Sequence, residues 1–521
     1  MSSTEAHHKD SAARRFRTAR FGRFSAALLS GYTLRGVSIA AGFVMTPFLL
    51  SELGRAGYGA LALATSVAAW LSLLDVGLAP GLNVYLARRS GRLDVERLNL
   101  LASSAQIGQL YCAGAVLVVG LGFSIALPSL FAVPSESARD VVLLACGLAA
   151  GAAVSAATRV YSTALVAHQL IWAENASRGV RALFRALLIF ALVLNGFGLP
   201  AVGAAHLAAA VLSSGIAWIA SRRFLPELRI DLGAARRSET RALMHPGVWL
   251  SIGALAGVMI AGLDRAVAAR MLSLDAVAIL AVSGAVFLLA EMLLTQTIDA
   301  ARPALAQALG EDLRDEAVAV YSTMLSAGNA AALIVAAALV AANPAFVVAW
   351  TGSGNHGGTT LDLALAACLV AHVWILPHRA ALTASVRVRP QTLVRLLEGA
   401  LNLGLSIVFV RRFGLLGLLA ATALSAALTS CWALPRLAVQ ELGGASRGAV
   451  RRALVRNAAL GVLLVPAVFA AQALAEGVGG LLGAALAASA VAAWGGPFAW
   501  MLCVDAPLRQ KLRLAHAGGL I

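Results

Sequence analysis

Lysine is nearly missing from this chain. Of 521 residues only Lys9 and Lys511 are lysines, both in terminal segments. A phosphate-cradling P-loop needs a lysine between a strand and a helix, so ATP hydrolysis by that route is excluded, as is a lysine Schiff base. Charged residues amount to 13% of the sequence, against about 25% in soluble domains. Neither His-x-x-Glu-His nor Cys-x-x-Cys occurs. The five cysteines (Cys112, Cys146, Cys368, Cys431, Cys503) all fall inside apolar segments, as packing residues rather than a disulfide or metal framework. Long polar segments are missing too. Length alone would suggest three or four soluble domains, but no connection between apolar segments exceeds roughly 25 residues.

What fills the chain is hydrocarbon-compatible sequence: 60% of residues are apolar and the mean hydropathy is +0.82. A membrane span needs about 20 predominantly apolar residues. On that criterion the sequence predicts an all-α polytopic membrane protein with fourteen spans, at 24–51, 57–86, 99–128, 140–167, 177–195, 199–221, 246–271, 276–300, 317–342, 361–385, 391–410, 414–435, 457–475 and 479–504. The fifth and eleventh are short and carry charge near their starts (Arg181 and Arg185; Arg395 and Glu398).

The positive charge sets the orientation, because short inner loops accumulate Lys and Arg. With the N-terminus inside, the outer side of the 41 Lys and Arg holds only Arg55, Arg139, Arg270, Arg411 and Arg412. Arg35, Arg159 and Arg265 fall within spans, and the remaining 33 are inner. Both termini are therefore expected in the cytoplasm. The net charge of +16 is a topology signal spread over many loops, not a nucleic-acid footprint. The N-terminal apolar stretch is too long for a cleavable signal and lacks a small-residue cleavage site. Residues 1–20 are polar and basic and are expected to be irregular. The outer loops at 196–198, 272–275 and 476–478 are short and nearly free of acids, which argues against a catalytic carboxylate pair on that face.

Residues 46–64, TPFLLSELGRAGYGALALA, lie over 265–283, RAVAARMLSLDAVAILAVS, as a weak internal repeat. Parallel repeats of this kind occur in transporters. The stretch LGRAGYGALALATSVAAWLSLLDVGLAPGLNVYLA (53–87) resembles the opening signature of the Wzx-type polysaccharide flippases of the MATE-like exporter superfamily. The matching features are an LG-x-x-x-YG outer turn, an LLD-x-G segment and a closing YLA. GLDRAVAARMLSLDAVAILAVS (262–283) resembles the family's seventh-span pattern. The second-half counterpart of Tyr58 is Val277, followed by Ala278 where the family often has Gly.

The resemblance implies two six-helix lobes, 24–221 and 246–436, followed by two further spans in 457–504. Cytoplasmic segments are expected at 1–23, 222–245, 437–456 and 505–521. It also implies a polyprenyl-pyrophosphate-linked oligosaccharide as the transported partner, carried to the periplasmic leaflet of a bacterial inner membrane. It implies no cofactor. Further expected partners are membrane lipids and other polysaccharide-assembly membrane proteins. The alternatives are a cation-coupled drug or lipid exporter of the same superfamily and a membrane glycosyltransferase or polymerase.

Ionisable residues inside hydrocarbon mark cavities or ion pairs. Arg35 lies about 16 Å along span 1 from its inner end, and Arg265 lies in the outer half of span 7. Either binds a substrate anion or ties helices together. Asp264, beside Arg265, projects about 100° away from it. Asp75 in span 2 and Glu291 in span 8 are candidate coupling groups or charge partners for the two arginines. Asp299 and Arg302 read as a surface pair. Arg159 and Glu398 read as snorkelling groups without a role. His372 and His378 read as satisfied histidines or pH-sensitive groups. Trp172, Trp249, Trp350 and Trp500 read as interfacial anchors, and Pro47 and Pro377 as hinge points.

Overall fold

The computed structural model describes the backbone of residues 3–71, 82, 95–131, 133–168, 170–385 and 387–503. Side chains are described from Leu34 onward, apart from Arg35 and parts of 242–261. The described chain is helical throughout, with no strand. It divides into two compact units, Met1–Leu255 and Ala256–Ile521.

The first unit holds α1 (Ser3–Leu71), α2 (Val95–Leu130), α3 (Ser135–Ala157), α4 (Arg159–Ala167), α5 (Ile171–Leu194) and α6 (Gly198–Phe224). α7 (Arg237–Met271) runs across the division. Contrary to expectation, the basic N-terminal segment is helical from Ser3. Residues 3–21 contain neither Gly nor Pro and several alanines and arginines, and extending a helix costs far less than nucleating one.

α3 sits between α2 and α6, and α5 packs on α1 and α6. Gly147 and Gly203 set the spacing of α3 and α6: a Cβ on Gly147 would lie 2.5 Å from the Gly203 carbonyl. Small residues permit such approach between membrane helices. The segment before α7 is strapped to the first turns of α2. Arg97 donates to both oxygens of Glu239 at 2.8 and 2.9 Å. The Asp231 and Arg236 amides donate to Ser103 and Ser104 at 2.9 and 3.0 Å.

The second unit continues with α8 (Leu274–Ser283), α9 (Ala285–Gly310), α10 (Arg314–Thr351), α11 (Thr359–Ala384), α12 (Val388–Leu428), α13 (Ser430–Leu442), α14 (Gly444–Val478) and α15 (Gly480–Cys503). α10 is its hub, packing against α9, α11, α14 and α15. One core joins Leu305, Tyr321, Leu325 and Leu382; another joins α10 to Leu460, Leu464 and Val491 of the last two helices.

Among the described residues, nine helices are long and apolar enough to cross a membrane, ten if the bent pair α8–α9 is one span. The chain is a multi-pass membrane protein. The helix count falls below fourteen because single helices hold two spans each. In α1 the backbone leaves helical geometry at Gly54 (φ 68°) and in α12 at Gly414 (φ 55°). Only glycine adopts such angles without strain. Both are reversals. The Thr46 and Tyr58 hydroxyls share a 3.4 Å hydrogen bond, although twelve residues of straight helix would separate them by about 18 Å. A Cβ on Gly417 would lie 2.4 Å from the Phe409 carbonyl. α5 fails the same count because of its arginines.

Two spans are broken rather than continuous. α3 stops at Thr158 before α4, and α8 bends by 48° into α9 at Gly284. In lipid the freed backbone groups need internal partners, and each break has one. Gln106 donates to the Ala157 carbonyl at 2.8 Å, and Asn343 donates to the Ser283 carbonyl at 3.1 Å.

Candidate functional site

Each unit encloses a cavity beside its broken helix. The first-unit cavity, about 630 Å³, is lined by Thr158 and Arg159 at the break, by Ser155 of α3, and by Ser162 and Thr163 of α4. α5 adds Glu174, Ser177, Arg178 and Arg181, and α6 adds Ser213 and Ser214. Three arginines face one acid. Glu174 is buried; its Oε1 accepts from Arg178 Nε at 2.8 Å, while its Oε2 is buried without a partner. Arg181 donates to Ser155 Oγ at 3.1 Å. Further along α5, Arg185 meets His206 Nε2 at 3.3 Å. His206 Nδ1 lies 2.9 Å from the Val202 carbonyl. That carbonyl accepts only N–H, which leaves Nε2 as the lone pair receiving Arg185.

Glu174, Arg178, Arg181 and Arg185 follow the i, i+4, i+7, i+11 spacing of one helix face. The opposite face exposes Leu183, Leu187, Phe190 and Leu194. Exposed apolar side chains at the same level as Arg181 and Arg185 place these cations at hydrocarbon depth, turned into the unit.

The second-unit cavity, about 260 Å³, has balanced charge. Asp264, Glu291 and Glu398 line it together with Arg265, Arg379 and Arg395, and with His372 and Thr422. Here the groups satisfy one another. Arg395 donates to both Glu398 oxygens at 2.8 and 3.0 Å, and Ser430 also donates to Glu398. His372 Nε2 lies 3.4 Å from Glu291 Oε1. The Thr422 hydroxyl lies 3.0 Å from Asp264 Oδ2, 3.2 Å from Asn402 Oδ1 and 3.2 Å from the Leu418 carbonyl. A hydroxyl has one proton, so this corner holds more acceptors than donors. Asp264 Oδ1 is buried without a partner. Among the described residues no cluster of His, Cys, Asp or Glu is suited to a metal ion.

Of the residues expected from sequence, Asp264, Arg265 and Glu291 thus line one cavity, and Glu291 faces His372 rather than a cation. Asp75 and the Arg35 side chain lie outside the described residues. The Asp299–Arg302 pair forms at 3.1 Å with both partners exposed. Two readings are corrected. Glu398 is buried in an ion pair, not snorkelling, because Arg395 one turn away follows it inward. Arg159 lines the first cavity, because the helix breaks one residue before it. His378 receives Tyr321 at 2.7 Å on Nδ1, while its Nε2 is buried without a partner. α11 runs on through Pro377 as one helix.

The fold is that of the MATE and lipid II flippase transporters. An inward-facing multidrug resistance MATE family transporter superposes with a TM-score of 0.63 at 19% identity, covering 82% of this chain and 94% of its own. Lipid II flippase MurJ in an inward closed conformation superposes at 0.68 with 11% identity, covering 91% of this chain and 98% of its own. No curated protein matches the sequence. A family model described as "Polysaccharide biosynthesis protein" matches residues 29–309, more than half of the chain. The chain belongs to that family.

Proposed function

We propose that this protein is a flippase, not an enzyme, moving a polyprenyl-pyrophosphate-linked oligosaccharide from the cytoplasmic to the periplasmic leaflet of a bacterial inner membrane. In this reading both termini are cytoplasmic and the substrate feeds cell-surface polysaccharide assembly. Family membership supports it, and so does the likeness to MurJ. The observation that carries it is the sign of the first-unit cavity, where Arg159, Arg178 and Arg181 face Glu174 alone. An exporter of organic cations needs the opposite excess.

Arg265 of the second-unit cavity, with Arg35, serves in this reading as a further cation for the substrate. Asp264, Glu291 and Asp75 are the charge partners or coupling groups. The acceptor-rich corner of Asp264, Asn402 and Thr422 is where a proton or monovalent cation would be held. Export of an anion from a negative interior gains about 2.3 kcal/mol per charge per 100 mV, so no nucleotide is needed. The carboxylates of the second-unit cavity, with the MATE likeness, favour a cation-coupled drug or lipid exporter as the second reading. The test is deletion of the gene followed by assay of lipid-linked glycan. Accumulation in the cytoplasmic leaflet, reversed by the wild-type gene, is expected; unchanged glycan export would end this reading.

A further inference from the structure

The arginines of α5 are expensive. An arginine at the centre of a membrane helix costs about 2.5–3.5 kcal/mol on insertion scales, and α5 carries three within eight residues, Arg178, Arg181 and Arg185. Structural pairing does not account for them. The acid lining their cavity is Glu174, and its recorded partner is Arg178. Arg181 is held at one position by Ser155 and has a planar fork of further donors. Arg159 approaches the same space from the helix break, and Ser162, Ser177, Ser213 and Ser214 complete the wall. Three cations against one carboxylate leave a net charge of +2, the magnitude carried by a diphosphate diester. Arginine forks match phosphoryl oxygens in bidentate fashion. The volume of about 630 Å³ exceeds what a bare anion fills and lies within the ligand-cavity range of about 300–1,000 Å³.

We propose that the inward face of α5, with Arg159 across from it, is a diphosphate-binding site built wholly within the first unit, with Arg178 and Arg181 as its principal ligands. It rests on the flippase reading for its occupant, the diphosphate of the lipid-linked substrate. It is separate from the Arg265 cavity. Glu174 positions Arg178 through the 2.8 Å contact at Nε, leaving the terminal nitrogens for the phosphoryl oxygens.

The site is tested on the full chain in phosphatidylcholine nanodiscs, by calorimetric titration with inorganic pyrophosphate and with geranylgeranyl pyrophosphate. Wild-type protein is expected to bind both. Arg178→Gln and Arg181→Gln should each weaken both by at least about tenfold, and Arg181→Lys should fall between. Arg222→Gln, on an exposed cation stacked over Trp218, should match wild type. Thermal unfolding of each variant separates binding loss from misfolding, and Arg181→Lys serves if Arg181→Gln does not fold. Absence of pyrophosphate binding, or equal binding by the Gln variants, overturns the proposal. A second set of nanodiscs containing phosphatidylglycerol separates the sources of the phosphoryl group. Loss of pyrophosphate binding there, restored by Arg181→Gln, would make the site a phospholipid site and also overturn it. If binding depends on Arg181 while gene deletion leaves glycan export intact, the site stands and the flippase reading fails.

Discussion

The two cavities share a device and differ in charge. Each lies against an interrupted helix whose freed carbonyl is capped by a buried amide side chain, Gln106 in one unit and Asn343 in the other. Around the second break, acids and bases come in equal number and are largely spent on one another. Around the first, arginine outnumbers acid three to one. A balanced cluster contributes to folding whether or not a ligand arrives. An unbalanced one is incomplete until something brings opposite charge.

The comparison breaks hardest at Glu398. Arg395 and Glu398 are 9% and 2% exposed, and removing one partner of a buried pair typically costs about 3–5 kcal/mol. Glu398→Ala should sharply reduce folded protein, read as monodisperse yield and melting temperature in detergent. Replacing both residues with methionine should recover much of the loss. Equal stability of Glu398→Ala and wild type would show that the second cavity is not self-satisfied.

The helix breaks come next. Asn343→Leu and Gln106→Leu each leave a buried carbonyl without its donor, at a cost of about 1–3 kcal/mol. Asn343 should be the more costly, since it also donates to the buried Asp362 at 2.6 Å. Thermal unfolding of the two variants side by side decides the order.

Smaller in stability but large in function is Arg181→Gln. The charge excess predicts glycan export reduced at least about tenfold with near-normal abundance, the reverse of the Glu398 phenotype. Complementation of a deletion strain with quantitative immunoblotting measures both. The smallest effect belongs to Arg222→Gln at the end of α6. An exposed cation over an aromatic ring contributes about 0.5–1 kcal/mol, so export should not change.

Much of the fold was legible because hydrocarbon thickness imposes one length on every span. The reversal after LLSELG at Gly54 was legible as a turn for the same reason. The broken helices were not, since 140–167 and 276–300 are apolar straight through Thr158 and Gly284. Only the tertiary partners Gln106 and Asn343 make an interruption tolerable, and they lie 51 and 60 residues from the carbonyls they cap. The clustering of Asp264, Arg265 and Glu291 was partly legible from intramembrane charge. The α5 stripe was readable in principle from its spacing. Charges near one end of a weak span look like snorkelling groups unless the apolar residues opposite them are placed at the same level.

The stripe also bears on how the chain is made. Residues 195–197 alone join α5 to α6, so the two helices leave the ribosome almost as one hairpin. Offered to a bilayer by itself, α5 would present Arg178, Arg181 and Arg185 to lipid. Paired with α6, it turns them toward His206, Ser213 and Ser214. Biogenesis of this segment therefore depends on a helix not yet synthesised when α5 appears, and insertion becomes a two-helix decision at this point in translation.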